Sequence, residues 1–257
     1  MDALLEVREV SKSFDGLVAL AEVTLCIHPG QIKGLIGPNG AGKTTLFNLI
    51  AGTLVPTAGD IRFRGQSIVG LPPYRIAHLG ISRTFQNVQI FPGMTVLEHV
   101  LVGLHRYTLS GVLAAAARTR RIKGTEAALR ERACALLDKL GLAAWADTPV
   151  DSLPFGLQRM VELARALATS PQLLLLDEPG AGLNPTEKAA VSQLIRKIRD
   201  EGVTVFLVEH DMQMMMGLAD EVAVLDHGML LAEGPPVEVQ RDPQVIAAYL
   251  GEADDVA

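Results

Sequence analysis

Apolar residues change their spacing several times along the 257-residue chain, and each change marks an element. Residues 4–10 and 20–27 alternate or cluster as short strands, with the turn-rich stretch SKSFDGL between them. Residues 31–37 (QIKGLIG) form an apolar, β-capable run, and TLFNLIAG, after a glycine-rich stretch, reads as a helix. Beyond the Gly and Pro punctuation of AGTLVPTAGD, DIRFRGQSI reads as a strand, and Pro72 and Pro73 open a short helix ending near Gly80. ISRTFQ, residues 81–86, is a strand ending in a polar amide, and Thr95 caps a helix running to about His105.

From residue 106 to 146 the pattern shifts to Ala, Leu and Arg at helical spacing, with Leu129, Ala133, Leu136, Leu137 and Leu140 on one face. This marks residues 87–153 as a helical subdomain inserted between residues 1–86 and 154–257, which carry the strands. FGLQRMVELARALATS is a helix by periodicity, and PQLLLLDEP is a buried strand delivering Asp177 and Glu178 at its carboxyl end. Asn184, Pro185 and Glu187 carry the start signals of another helix: an N-cap, a first-turn proline and the acid of a capping box. Residues 203–208 form a second buried strand ending in Glu209 and His210. EVAVLDHGMLLAEG reads as a hairpin around His227 and Gly228, and DPQVIAAYLGEA as a short closing helix.

Residues 37–45, GPNGAGKTT, match the pattern G-x-x-x-x-G-K-[ST] through Gly37, Gly42, Lys43 and Thr44. At average composition a chance match in a chain this long has a probability on the order of 1%. Strand, loop and helix stand in the order that a phosphate cradle needs. Gly37, Asn39, Gly40, Ala41 and Gly42 would turn backbone N–H groups toward phosphates, with Pro38 shaping the loop between them, Lys43 would add charge, and Thr44 could ligate Mg²⁺ ahead of Thr45 in the helix. The chain therefore binds a nucleoside triphosphate. Burying the carboxylates of Asp177 and Glu178 is costly without a cation or donors, so Asp177 suits the shell of Mg²⁺ and Glu178 suits polarising a water. His210 at a strand end can reach a γ-phosphate, or it is an ordinary satisfied histidine. Phe14 is either a ring for stacking on adenine or a hairpin aromatic, and Gln86 taken alone is a surface amide.

Composition narrows the partners. With 49% hydrophobic and 20% charged residues the chain can build a core, and its net charge of −6 gives no support to nucleic acid as a partner. Its basic run RTRRIK reads as a solvated helix end or loop. Cys26 and Cys134 are the two cysteines, with neither disulfide nor zinc spacing, which points to a reducing compartment. The acidic N-terminus is unlike a signal peptide, and no apolar run approaches the ~20 residues of a membrane span. A mean hydropathy of +0.27 leaves room for an apolar docking surface.

Taken in order over nearly the whole chain, these pieces resemble the ATP-binding subunit of an ABC transporter. On that resemblance Phe14 is the adenine-stacking aromatic, residues 37–45 the Walker A loop, Gln86 the Q-loop, and residues 153–157 the signature, whose Leu153 and Gly156 would touch nucleotide. Residues 173–177 become Walker B, Glu178 the catalytic acid and His210 the switch histidine. RTFQNVQIFPGMTVLEHVLVG, the long helical insert, DEPGAGLNP and IAAYLGEA further resemble the ATPases of branched-chain amino acid importers, with amide, urea and lipopolysaccharide-export ATPases as relatives.

The resemblance implies an α/β P-loop NTPase fold: a mixed-sheet core, an N-terminal antiparallel β subdomain and the inserted helices. It implies ATP and Mg²⁺ with Thr44, Gln86 and Asp177 as metal ligands, and Glu178, His210 and Gln86 in catalysis. Two ATPase subunits, alike or different, would sandwich two ATP molecules on the cytoplasmic face of the plasma membrane, attached to transmembrane permease subunits and served indirectly by a solute-binding protein. The expected signature Leu-Ser-Gly-Gly-Gln reads Leu153-Pro154-Phe155-Gly156-Leu157 here, and Asn184 stands where the D-loop usually carries Asp. Pro154 has neither a hydroxyl nor a backbone N–H to offer a partner's γ-phosphate. Two other readings follow: a regulatory ATP-binding dimer with little hydrolysis, and an ATPase acting on ribosomes or DNA, for which the second cassette or basic linker is missing.

Overall fold

The computed structural model describes residues 2–84, 88–105 and 120–250. In chain order its elements are β1 (Leu5–Phe14), β2 (Leu17–Ile27), β3 (Ile32–Ile36), α1 (Lys43–Ile50), β4 (Ala58–Phe63), β5 (Gln66–Ser67), α2 (Pro73–Leu79), β6 (Ile81–Arg83) and α3 (Val96–Leu104). Then come α4 (Arg120–Lys139), α5 (Phe155–Ala168), β7 (Leu173–Asp177), α6 (Pro185–Asp200), β8 (Thr204–Val208), α7 (Met212–Leu218), β9 (Glu221–Asp226), β10 (Met229–Gly234), α8 (Pro236–Val239) and α9 (Pro243–Leu250).

Two sheets result. The 4-stranded sheet has the order β2-β1-β4-β5 with antiparallel neighbours. The 6-stranded sheet has the order β10-β9-β3-β8-β7-β6, parallel throughout except for β10, which returns antiparallel on β9. Strands β3, β7 and β8 are buried at every position, the signature of parallel strands covered on both faces.

The period-2 alternation of β7 shows what covers them. Leu173 and Leu175 join a cluster with Phe47 of α1, Phe206 and the antiparallel-sheet residues Val7 and Leu25. Leu174 and Leu176 face the other way, into a cluster with Val100 of α3, Val161 of α5 and Ile195 of α6. The four leucines thus serve two apolar layers at once. The predicted face of α4 is also used: Ala133, Leu137 and Leu140 are buried in the second cluster, with Leu129 and Leu136 packed against it.

Helix starts agree with their signals. Thr95 accepts the N–H of Glu98 while the Glu98 carboxylate takes that of Thr95, and Asn184 and Glu187 make the same reciprocal pair. Strand boundaries differ more. SKSFDGL is not a separator: β1 continues through Phe14, and only Asp15 and Gly16 turn the chain. Register shifts at three places along β1 and β2 break the alternation that would have revealed the longer strands. DIRFRGQSI is two strands rather than one, folded at Arg64 and Gly65, whose φ values of 52° and 75° make a two-residue hairpin turn. The strand expected over residues 81–86 pairs as β6 through Arg83, and Gln86 lies outside the described residues.

Lys33, in β3, was not singled out by its sequence and is fully buried. Its ammonium donates to the Cys26 carbonyl at 3.0 Å and to Glu221 at 2.9 Å, and it also pairs with Glu233. One side chain therefore joins β2, β3, β9 and β10. Burial of Glu221 favours its neutral form, but hydrogen bonds from Lys33 and Gln31 outweigh this and hold its carboxyl below the usual range.

Candidate active site

In open α/β sheets ligands bind beyond the carboxyl ends of the parallel strands. Here β3 ends in the loop 37–42, β7 in Asp177 and Glu178, and β8 in Glu209 and His210. A cleft of about 270 Å³ gathers Asn39, Gly40, Ala41, Gly42, Lys43, Thr44 and Thr45 with Glu178 and His210, and Ala19 of β2 forms part of its wall. Residues far apart in the chain, each expected to act on a phosphate, share one concave surface.

The loop is built around missing side chains. A Cβ on Gly37 would collide with the carbonyl oxygen of Leu225, and one on Gly42 would lie 2.6 Å from Leu20 Cδ2 and 2.7 Å from the Ala19 oxygen. Gly42 also has φ 100°, which other residues avoid, and from it α1 begins. Ala41 donates to the Pro38 carbonyl at 3.3 Å, and the Ala41 carbonyl accepts from Gly228 at 3.2 Å, so the β9–β10 turn props the loop from behind. Lys43 is buried, its ammonium donating to the carbonyls of Gly37 and Pro38 at 2.6 and 2.7 Å. A buried cation surrounded by loop backbone suits a polyanionic ligand.

At the opposite wall, Glu178 has φ 49°, a left-handed conformation costing of order 1–3 kcal/mol for such a residue. Its N–H donates to Val208 O at 2.9 Å, and its carboxylate oxygen lies 2.9 Å from His210 Nε2. At the wall of a cleft such a conformation, held by surrounding contacts, fixes the direction in which the side chain is aimed.

Asp177 is buried beside the cleft rather than lining it. Its Oδ2 accepts from Arg83 Nη2 at 2.9 Å, Arg83 Nη1 donates to Asn48 Oδ1 at 2.6 Å, and Asp177 N lies 3.4 Å from Thr84 Oγ1. Arg83 thus links the end of β7 to α1. Nothing in its local pattern marked it, because an arginine at a strand end usually reaches solvent. Glu209 likewise carries no local mark beyond its place next to His210. It is buried, with its carboxyl pushed up to about 7 by burial and then by the charge of Glu178.

Three residues expected to touch nucleotide, Phe14, Leu153 and Gly156, do not line this cleft. Phe14 is exposed at the tip of β1, with Lys12 Nζ 5.0 Å above its ring, and is not among the residues lining the cleft. Leu153 is buried, and Gly156 sits in the first turn of α5, where a Cβ would come within 2.7 Å of Glu187 Oε1. The Phe155 ring packs over Gly182, with the Arg159 guanidinium 5.6 Å from its centre. The signature segment therefore leans on the start of α6 and not on the cleft of its own chain.

Comparison with known proteins agrees with this geometry. Residues 20–181 match the family model described as ABC transporter, and residues 229–255 match that of the branched-chain amino acid ATP-binding cassette transporter. The chain is 42% identical to the high-affinity branched-chain amino acid transport ATP-binding protein LivG of Escherichia coli (strain K12), over 97% of this chain and 98% of that protein. It is 43% identical to the corresponding BraF of Pseudomonas aeruginosa over the same shares. The lipopolysaccharide export system ATP-binding protein LptB of Acidithiobacillus ferridurans is 35% identical over 98% of both chains. A crystal structure of an ABC transporter ATP-binding cassette in its ADP conformation superposes with a TM-score of 0.84 at 30% identity, covering 98% of this chain and 100% of the other. With the loop 37–45, Glu178 and His210 gathered at one cleft and relatives matching over 97% of its length, this chain belongs among the ATP-hydrolysing, ATP-binding subunits of the ABC transporter family.

Proposed function

We propose that this chain hydrolyses ATP to energise an importer of branched-chain amino acids or related small polar solutes. The observation that carries the reading is its identity of 42–43% with LivG and BraF over 97% of the chain. The more distant LptB supports lipopolysaccharide export less well. Deleting the gene is expected to abolish uptake of radiolabelled leucine, isoleucine and valine and to spare urea and amide uptake. The opposite pattern assigns the chain to one of those systems.

ATP would lie along the loop, its phosphates drawing the Lys43 ammonium from the carbonyls it now holds. Phe14 would meet the adenine, and Thr44, Gln86 and Asp177 would hold Mg²⁺. The donor set fits a hard cation: a hydroxyl at the cleft wall and a carboxylate whose Oδ2 is already fixed by Arg83. When bound, the ion supplies positive charge to the phosphate oxygens. Glu178 orients and deprotonates the attacking water, and His210 holds the Glu178 carboxylate in place.

Leu153 and Gly156 would complete the site of a second ATPase subunit, which fits their distance from their own cleft. A solved cassette, 25% identical over 90% of this chain, is described as dimeric after hydrolysis. Among the described residues no helix is long and apolar enough to cross a membrane, so attachment to the cytoplasmic face would run through permease subunits. The signature is this chain's weak part. Pro154 caps α5 without any side-chain bond, and Leu157 packs toward the core instead of presenting an amide. Sites closed by this signature should be slow, and full turnover should need a different partner subunit with an intact one. Pro154→Ser with Leu157→Gln should raise turnover of the isolated chain by about tenfold, the scale of one lost phosphate-facing donor or less. A homodimer already at full rate, unmoved by the restoration, refutes this.

A further inference from the structure

We propose that Glu209 is a positioning residue for hydrolysis: its buried carboxyl braces the turn at Gly180 and so fixes the Glu178 carboxylate against His210. The inference rests on the reading of Glu178 as the base. Where β8 ends, three successive residues do three tasks. The Val208 carbonyl accepts the Glu178 N–H at 2.9 Å, Glu209 turns inward, and His210 turns out to meet Glu178 at 2.9 Å.

The inward carboxylate meets the turn directly. It takes a hydrogen bond from the Gly180 N–H, and Gly180 approaches so closely that a Cβ there would lie 2.6 Å from Glu209 Oε1 and 2.7 Å from Met214 Sδ. The same turn is closed by Ala181 N to Glu178 O at 3.1 Å and Leu183 N to Gly180 O at 3.2 Å. Glu178 holds its left-handed φ of 49° at the head of this turn. Glu209 is thus the side chain that keeps a strained backbone from relaxing.

Its second oxygen, Oε2, is buried without a protein partner. An ionised carboxylate there would be poorly solvated, and it would stand beside the negative Glu178. The charged groups around it are Glu178 from the end of β7, Asp211 before α7, and Lys188 of α6, whose ammonium is already engaged by Asp211 at 2.6 Å, with the titratable His210 next to it in the chain. Burial first and Glu178 second raise its carboxyl to about 7 against the pull of the Gly180 N–H, which favours the ionised form, so the uncharged carboxyl prevails below that pH and a negative charge stands beside Glu178 above it. Ionisation then repels the acid that the turn is meant to aim.

The test is steady-state ATP turnover of the full chain from about pH 6 to about pH 9 for wild type, Glu209→Gln, Glu209→Leu and Glu178→Gln, with hydrogen exchange at the Gly180 amide. Glu209→Leu keeps the bulk and removes the acceptor. It should lower kcat by about 10- to 100-fold, the usual effect of a small misplacement, with KM for ATP little moved and faster exchange at Gly180. Glu209→Gln stays neutral at every pH. It should recover most of kcat at pH 7 and lack the decline above pH 7 that is expected of wild type. Should the leucine variant fail to fold, Glu209→Asp, too short to reach Gly180, takes its place with the same expected loss. Wild-type kcat in the leucine or aspartate variant, or a glutamine variant as impaired as either or with an unchanged basic limb, overturns the proposal. Undiminished turnover in Glu178→Gln removes instead the reading of Glu178 as the base.

Discussion

Glu178→Gln is expected to leave ATP binding intact and to lower turnover by about 10²- to 10⁴-fold, the range attributed to a positioned general base. The substitution preserves shape, and an amide can still meet His210 Nε2 across the 2.9 Å that now separates the two side chains. The backbone contacts that hold φ at 49° are made by main-chain atoms and survive. What disappears is basicity. The cradle, including Lys43 and the N-terminus of α1, is on the other wall of the cleft and is untouched. Nucleotide affinity by equilibrium titration and phosphate release in single turnovers separate the two quantities. Undiminished release would take the base role from Glu178, and lost affinity would show that its role is in binding.

Gly37→Ala is the second large effect, and it should act through shape alone. A methyl group at this position runs into the backbone oxygen of Leu225, which belongs to the neighbouring strand β9 and cannot rotate away as a side chain would. Either β9 moves or the loop does. Moving β9 disturbs Val222 and Val224 in one apolar cluster and Ala223 and Leu225 in the other, for an overpacking penalty of about 1–3 kcal/mol or more. Moving the loop spoils its aim at phosphate. We expect thermal unfolding several degrees lower together with loss of measurable ATP binding. A variant with unchanged Tm and unchanged affinity would contradict the steric account.

Gly37 also illustrates what could be read from the residues. Its place in a phosphate motif was evident from spacing, because that motif is local and its parts are fixed by backbone geometry. The same holds for the caps at Thr95 and Asn184 and for the leucine strand ending in Asp177. What closes around the motif was not readable. That Leu225 sets the limit at Gly37, that Arg83 reaches Asp177, and that Lys33 joins four strands depend on sheet order, which pairs residues nearly 200 apart. Strand lengths near Phe14 and at Arg64 were missed for a smaller reason: register shifts and a two-residue turn disturb alternation without any marked change in composition. Burial of Glu209 leaves no local signal, because a glutamate at a strand end ordinarily reaches solvent.

The prop behind the loop has a consequence for how the chain can be divided. The nine residues of the cradle meet Ala19 and Leu20 on one side and Leu225 and Gly228 on the other, contacts supplied by the second strand and by the last hairpin. A fragment ending before β9 would keep every residue of the motif and lose the wall that shapes it. The smallest folding unit able to hold ATP therefore extends from the first strands to beyond Gly228, and the pocket is a property of nearly the full length rather than of its best-known nine residues.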